Sequence, residues 1–172
     1  MTTRMLFTLM TFALMLASHD GIAADDTEHH AETEHHLPHN HIALFAAAAF
    51  EEQSDGHRQR GYVLGLSYLR QVSERWGWGG ALEMEVFGDH HDRLGVVVVP
   101  ISYFPGGSWR LFGGPGWEFR EPGEREHAIF RLGAGYEFEL GKGFTLSPEA
   151  AIDFVSGGTT VYELGFALGY GF

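Results

Sequence analysis

The sequence contains no cysteine, and this absence excludes several classes of protein. A chain without thiols has no disulfide framework, no thiolate metal site and no cysteine-linked lipid anchor. Basic residues are also scarce, since 11 Lys and Arg stand against 23 Asp and Glu, for a formal net charge of -12 over 172 residues. Because nucleic acids are bound through a basic surface that neutralises phosphate, this composition argues against a nucleic-acid partner.

Long apolar runs are absent except near the N-terminus. There, Arg4 precedes about a dozen mostly apolar residues, and small residues follow at Ala23 and Ala24. This run is shorter than the roughly 20 residues that a membrane-spanning helix needs, and its flanks are typical of a secretory signal peptide. We therefore expect residues 1–24 to be removed, so that the mature protein leaves the cytoplasm.

Residues 25–41 consist largely of acidic residues and histidine. Such a segment cannot bury enough apolar surface to fold by itself, so we predict a disordered arm. Neutral imidazole is the commonest protein ligand for zinc and copper, and nearby carboxylates attract cations. The arm is therefore either a zinc or copper binder or a solvated linker, and the chain as a whole is expected to require no cofactor. The candidate metal ligands are His29, His30, His35, His36, His39 and His41.

From Ile42 to the C-terminus, alternating runs are separated by short segments rich in Gly, Pro, Asp and Ser, which favour turns. No run shows a sustained helical period. Evenly spaced alternating runs predict an all-β barrel or sandwich with eight strands. The predicted strands cover about residues 41–51, 60–70, 75–87, 94–104, 108–120, 127–140, 143–155 and 160–172.

Charged residues and glycines occupy the strand face opposite the large apolar residues. On a lipid-facing surface, an arginine at the membrane midplane costs roughly 2–4 kcal/mol and an acid somewhat less. Several such charges would rival the whole stability of a domain, about 5–15 kcal/mol. If the strands form a membrane barrel, the charges must face its lumen. The predicted lumen charge network is Glu83, Glu85, Arg110, Glu118, Arg120, Arg131, Glu137, Glu149, Asp153 and Glu163.

Aromatic residues gather near the strand ends in two sets, an arrangement that two membrane interfaces favour. The alternative is that aromatic residues merely suit β-strands. The first set is Tyr68, Trp76, Trp78, Tyr103, Phe104, Trp109, Phe144, Tyr170 and Phe172. The second set is Phe50, Tyr62, Phe87, Trp117, Phe119, Phe130, Phe154 and Tyr162.

The C-terminal run "TVYELGFALGYGF" alternates throughout and ends on an aromatic residue. With this ending, residues 42–172 resemble the small eight-stranded outer-membrane barrels of Gram-negative bacteria, of the OmpA and OmpX type. The His-rich arm followed by "NHIALF" is similar to a subgroup of such barrels. The resemblance implies a monomeric, antiparallel, up-and-down transmembrane β-barrel that contacts outer-membrane lipids and lipopolysaccharide. It also implies that Tyr170 and Phe172 form a signal for the outer-membrane assembly machinery, and that the arm is periplasmic.

Three prolines depart from this pattern, because proline cannot donate a hydrogen bond to a strand ladder. Pro100, Pro115 and Pro148 fall inside predicted strands, so each predicts a bulge or a shifted strand boundary.

The sequence leaves three functions open. An eight-stranded barrel is just wide enough to be filled by side chains, so we expect a structural or interaction protein, with metal handling through the arm. A narrow cation-favouring channel is an alternative, because the predicted lumen holds more acids than arginines. A lipid-modifying enzyme is the third, but no His-x-Ser pair occurs in the sequence to supply a nucleophile beside its base. We therefore expect no enzymatic activity.

Overall fold

A computed structural model of the chain describes residues 40–88, 92–119 and 126–172. The predicted signal peptide, the arm before Asn40 and the predicted lumen residue Arg120 lie outside these ranges. The described residues form β-strands joined by turns, and among them no helix is long and apolar enough to cross a membrane.

The strands of the described residues follow the alternating runs of the sequence. Two pairs of strands each form one continuous wall strand: β4 and β5 both pair with β3 and β6, and β7 and β8 both pair with β9. The wall therefore has eight strands. The bounds are β1 (Asn40–Glu52), β2 (Arg58–Gln71), β3 (Trp76–Phe87), β4 (Asp92–Val98), β5 (Ile101–Gly106), β6 (Trp109–Phe119), β7 (His127–Tyr136), β8 (Phe138–Gly141), β9 (Phe144–Val155) and β10 (Thr159–Gly171).

The sheet closes on itself through the first and last strands. β1 pairs with β2 on one side and with β10 on the other, and all neighbouring strands are antiparallel. The last residue extends this closure, because the Phe172 amide donates to the Asn40 carbonyl at 2.9 Å. The predicted eight-stranded antiparallel up-and-down barrel is confirmed. β1 begins at Asn40, one residue before the first predicted strand at about 41–51, so His41, which was also counted with the arm, belongs to the barrel wall.

The barrel has two unlike ends. At one end, which we call the turn end, β1 begins, β10 ends, and the connections are residues 72–75, 107–108 and 142–143. At the opposite end, which we call the loop end, β1, β3, β6 and β9 end, and the connections that the structure describes in full are residues 53–57 and 156–158. In outer-membrane barrels the short turns are periplasmic and the longer loops extracellular.

Burial alternates along each strand and shows which face points outward. On β10, Glu163 and Ala167 are buried, whereas Leu164, Phe166 and Leu168 are 53%, 60% and 49% exposed. The other strands likewise expose large apolar side chains and bury small or charged ones, which is the opposite of a soluble protein. Soluble proteins rarely expose a contiguous apolar patch of more than a few hundred Å², so this wall is suited to hydrocarbon.

Most residues of the two predicted aromatic sets lie on the outer face near the ends of the strands. Trp76 and Trp78 are 50% and 51% exposed at the turn end, and Trp117 is 47% exposed toward the loop end. Phe87 and Phe104, however, are only 2% and 7% exposed, so placing them in these sets was wrong. Each lies two residues from a buried inward residue, and the period of two turns its ring into the lumen.

The three prolines are accommodated in two ways. Pro100 lies in the interruption between β4 and β5, as expected. Pro115 and Pro148 lie inside β6 and β9, so the prediction of a bulge or boundary at these two positions was wrong. Instead the neighbouring strand is interrupted: the Val99 amide, between β4 and β5, donates to the Pro115 carbonyl at 2.9 Å. The pairing of β7 with β9 likewise ends at Glu149, the residue next to Pro148.

Candidate functional site: the charged lumen

Arg131 on β7 lies at the centre of a buried group of charges. Its Nε and Nη2 atoms donate to the two carboxylate oxygens of Asp153 at 2.7 and 2.6 Å, and Asp153 is the direct register partner on β9. Nη2 also donates to Glu163 Oε1 at 2.7 Å, and Nη1 donates to Glu83 Oε1 at 2.5 Å. We call Arg131, Asp153, Glu163 and Glu83 the Arg131 cluster; one guanidinium in it is bonded to three carboxylates.

Glycines in neighbouring strands make room for the long side chains of the Arg131 cluster. Gly114 on β6 is the register partner of Arg131, and Gly65 on β2 is the register partner of Glu83. A Cβ atom added at Gly65 would lie 2.7 Å from Glu83 Cγ, closer than real Cβ contacts. The sequence therefore alternates small and charged residues because a narrow lumen has no space for large residues on both strands.

A second buried group lies toward the turn end around Arg110 on β6. Its Nη2 atom donates to Glu149 Oε1, and its Nε atom is 4.0 Å from Glu137 Oε1. The guanidinium carbon is also 4.9 Å from the centroid of the Phe112 ring, within cation–π range. Phe112 fits into the lumen because a Cβ at Gly133 would collide with its ring.

An internal cavity of about 50 Å³ separates these two groups. A single water molecule needs about 10–15 Å³ measured in this way, so the cavity has room for a few waters. The polar residues that border it are Ser67, Glu83, Ser102, Arg110, Arg131, Glu149 and Glu163.

The structure brings together nine of the ten predicted lumen residues on the inner face. Glu85 and Glu118 are buried toward the loop end, and both lie on the same strand faces as the two groups above. The tenth residue, Arg120, lies outside the described residues. Within the described lumen, these nine residues comprise seven acids (Glu83, Glu85, Glu118, Glu137, Glu149, Asp153 and Glu163) and two arginines (Arg110 and Arg131).

Solved structures with this architecture span membranes. The chain is similar to Neisserial surface protein A, with a TM-score of 0.62 and 10% identity over 77% of this chain and 97% of that one. It is also similar to the outer-membrane protein OprG of Pseudomonas aeruginosa, with a TM-score of 0.54 and 12% identity over 81% and 99% of the two chains. A de novo designed transmembrane β-barrel matches with a TM-score of 0.50 and 12% identity over 77% and 96%.

The fold is that of a small outer-membrane β-barrel. No protein-family model and no curated protein matches the chain, and at these identities the similarity concerns the fold alone. The predicted resemblance to small eight-stranded outer-membrane barrels is confirmed at that level. Together with the apolar outer wall, this fold agrees with the predicted location in the outer membrane of a Gram-negative bacterium.

His41 was predicted as a metal ligand of the arm, but its side chain is part of the outer-membrane barrel. Its Nε2 atom is 2.9 Å from Thr145 Oγ1, across β10, and the imidazole occupies the space that Gly169 leaves open. One ring nitrogen is therefore already engaged within the barrel. The other five candidate ligands, His29, His30, His35, His36 and His39, lie outside the described residues.

Glu51 is a lumen residue that the sequence analysis missed. It is 6% exposed on β1 and accepts a hydrogen bond from the Gln53 amide at 2.8 Å. The signal was present, because Glu51 continues the inward series of Ala47 and Ala49 at a spacing of two. Because Glu51 and Glu52 are consecutive acids on one strand, their residue types do not indicate which of them faces inward.

The predicted assembly residues lie on the outer face at the turn end. Phe172 is 58% exposed, and its ring stacks on that of Tyr170 with centroids 6.3 Å apart. Tyr170 also contacts Phe144 across the β9–β10 pair, at 5.0 Å. The C-terminal side chain is thus available outside the barrel while its backbone closes the sheet.

Proposed function

We propose that the protein is a structural or interaction component of the outer membrane whose lumen is closed by charged side chains. The observation that carries this proposal is the bond from Arg131 to Glu83. These residues lie on β7 and β3, with two wall strands between them, so the bond crosses the lumen rather than following the wall. We propose further that the barrel is monomeric and contacts lipids and lipopolysaccharide through its apolar wall, because a closed wall leaves no strand edge for pairing.

A closed lumen predicts that the barrel does not conduct ions. The purified barrel, reconstituted in a planar lipid bilayer in concentrated potassium chloride, should produce no discrete conductance steps, because the Arg131 cluster and the Arg110 group leave space for only a few waters between them. A purified porin inserted under the same conditions serves as the positive control. Regular steps that depend on the protein concentration would contradict the closed lumen.

A narrow cation-favouring path is the second candidate function, and the excess of acids in the described lumen supports it. Acids that are not offset by arginine attract cations. The same bilayer experiment distinguishes the two candidates when it is run with a salt gradient. Conductance steps whose reversal potential is shifted toward the equilibrium potential of potassium would favour the channel over the structural role.

The histidine-rich arm supports an additional role in metal handling. Titration of the mature protein with zinc or copper should show modest affinity, because ordering a flexible arm around the metal costs conformational entropy. A shortened protein that begins at Asn40 should lose this binding while keeping the β1–β10 closure. A matched variant with serine at the arm histidines His29, His30, His35, His36 and His39 keeps the length and acids of the arm and should also lose binding. Equal affinity in all three proteins would exclude the arm as the metal site.

The terminal aromatic residue is proposed as part of an assembly signal. Phe172→Ser should lower the amount of folded barrel in the outer membrane several-fold, because the assembly machinery would no longer recognise the C-terminal strand. Phe144→Ser is a matched control, since Phe144 is also an aromatic residue on the outer face at the turn end. Its side chain is 46% exposed, and that of Phe172 is 58% exposed. The measurement is the heat-modifiable fraction of the protein in purified outer membranes. Equal losses in the two variants would mean that lipid contact, not recognition, explains the effect.

A further inference from the structure

Three carboxylates converge in the lumen beside the Arg131 cluster. One oxygen each from Glu83, Glu85 and Glu163 lies within 4.8 Å of the other two. Calcium binds oxygen ligands at 2.3–2.6 Å, so two oxygens on opposite sides of one ion lie about 4.6–5.2 Å apart, and three equidistant oxygens around it lie at most about 4.0–4.5 Å apart. Magnesium binds at about 2.0–2.1 Å, so its ligands are at most about 4.2 Å apart. The limit of 4.8 Å is close to the calcium spacing, so small side-chain movements would let the three oxygens share one calcium ion, whose ligands lie farther apart than those of magnesium.

Arg131 forms hydrogen bonds with only some of the carboxylate oxygens around it. It uses both oxygens of Asp153, but only the Oε1 atoms of Glu83 and Glu163. The Oε2 atoms of Glu83 and Glu163 are buried and have no hydrogen-bond partner among the described residues. The two side chains are only 5% and 0% exposed. A buried carboxylate oxygen without a partner is costly, so these two atoms point to a ligand.

The local charge favours a cation over water alone. Glu85 is 1% exposed and lies with the Arg131 cluster, which makes four carboxylates against one guanidinium. Water could donate hydrogen bonds to the two unpartnered oxygens, but the excess negative charge would then have to be relieved by protonation of a carboxylate. A divalent cation supplies two positive charges at the point where the three carboxylates meet.

The cavity beside Glu83 and Glu163 offers space for further ligands. Calcium takes six to eight oxygen ligands, so three carboxylates are not enough by themselves. Glu83 and Glu163 border the internal cavity of about 50 Å³, which has room for the few waters that would complete the shell.

We propose that Glu83, Glu85 and Glu163 form a lumenal binding site for a hard divalent cation, with calcium as the best fit. The site is independent of the arm, because hard cations prefer oxygen ligands whereas the arm offers imidazole. The bound ion would tie β3 to β10 across the barrel and would stabilise the closed lumen.

The test is calorimetric titration of the complete mature protein with calcium, after removal of divalent cations. Glu85→Gln should weaken calcium binding at least about tenfold, because it removes one of three charged ligands while keeping the size of the side chain. Glu137→Gln is the matched control, since Glu137 is a buried acid of the Arg110 group, outside the proposed site. It should bind calcium as the unmodified protein does. Magnesium should bind more weakly than calcium to the unmodified protein.

Thermal unfolding provides a second readout. Calcium should raise the unfolding midpoint of the unmodified protein and of Glu137→Gln, and should raise that of Glu85→Gln much less. If Glu85→Gln fails to give a heat-modifiable barrel, Glu163→Gln replaces it in both measurements with the same expectation. Absence of calcium binding to the unmodified protein would overturn the proposal. Equal binding by the Glu85→Gln or Glu163→Gln variant and the control would also overturn it.

Discussion

Replacement of Arg131 by methionine should lower the free energy of unfolding of the barrel by about 3–5 kcal/mol, which is the cost of removing one partner of a buried ion pair. The substitution would leave the carboxylates of Glu83, Asp153 and Glu163 facing one another in a space from which the compensating cation has gone. Against a total stability of about 5–15 kcal/mol, this is a large fraction. The measurement is denaturant unfolding of the refolded protein in lipid vesicles, followed by tryptophan fluorescence.

Two variants separate this effect from a general loss of charge. Arg58→Gln removes an exposed ion pair with Glu52, 2.6 Å long, and should cost less than about 1 kcal/mol because solvent screens that pair. Arg131→Lys keeps the positive charge but cannot reproduce the forked bonds to Asp153, so its cost should fall between the other two. An Arg131→Met barrel as stable as the Arg58→Gln barrel would mean that the cluster does not hold the lumen together.

The strands and their facing could be predicted from the sequence because both depend on local pattern. A period of two assigns alternate residues to opposite faces, and the cost of a charge in lipid decides which face is inside. The same rule could have found Glu51 and excluded Phe87 and Phe104 from the outer face. Phe87 and Phe104 lie near strand ends, but facing depends on their spacing of two from Glu85 and Ser102, which turns them inward.

The pairing of charges within the lumen could not be predicted, because it depends on how strands far apart in sequence face one another. The period of two turns Arg131 and Glu83 inward, but it does not say that their side chains meet across the barrel. That contact depends on how the wall closes and on the stagger between its strands. Neither can be predicted from the sequence of a single strand. The accommodation of Pro115 was missed for the same reason, since the interruption that faces it lies in the neighbouring wall strand.

The orientation of the wall gives the second large expected effect. Leu66→Arg should lower the free energy of unfolding in lipid by about 2–4 kcal/mol, the cost of an arginine near the membrane midplane. Leu66 lies in the central part of β2, is 51% exposed, and has Leu44 and Leu82 as its register partners on both sides. An arginine at this position has leucine directly beside it on both neighbouring strands and must reach toward an interface through hydrocarbon.

Val72→Arg is the matched control for Leu66→Arg. Val72 is also a half-exposed apolar residue, at 59%, but it lies in the 72–75 connection at the turn end. The cost of a charge in the wall falls to about 0–1 kcal/mol near the interfaces, so this substitution should be nearly neutral. If the apolar wall faced water, both substitutions would be ordinary surface changes, each within about 0.5 kcal/mol of the unmodified protein. A cost of about 2–4 kcal/mol for Leu66→Arg beside a nearly neutral Val72→Arg therefore requires hydrocarbon around Leu66. Equal effects would contradict the membrane orientation on which the lumen assignments depend.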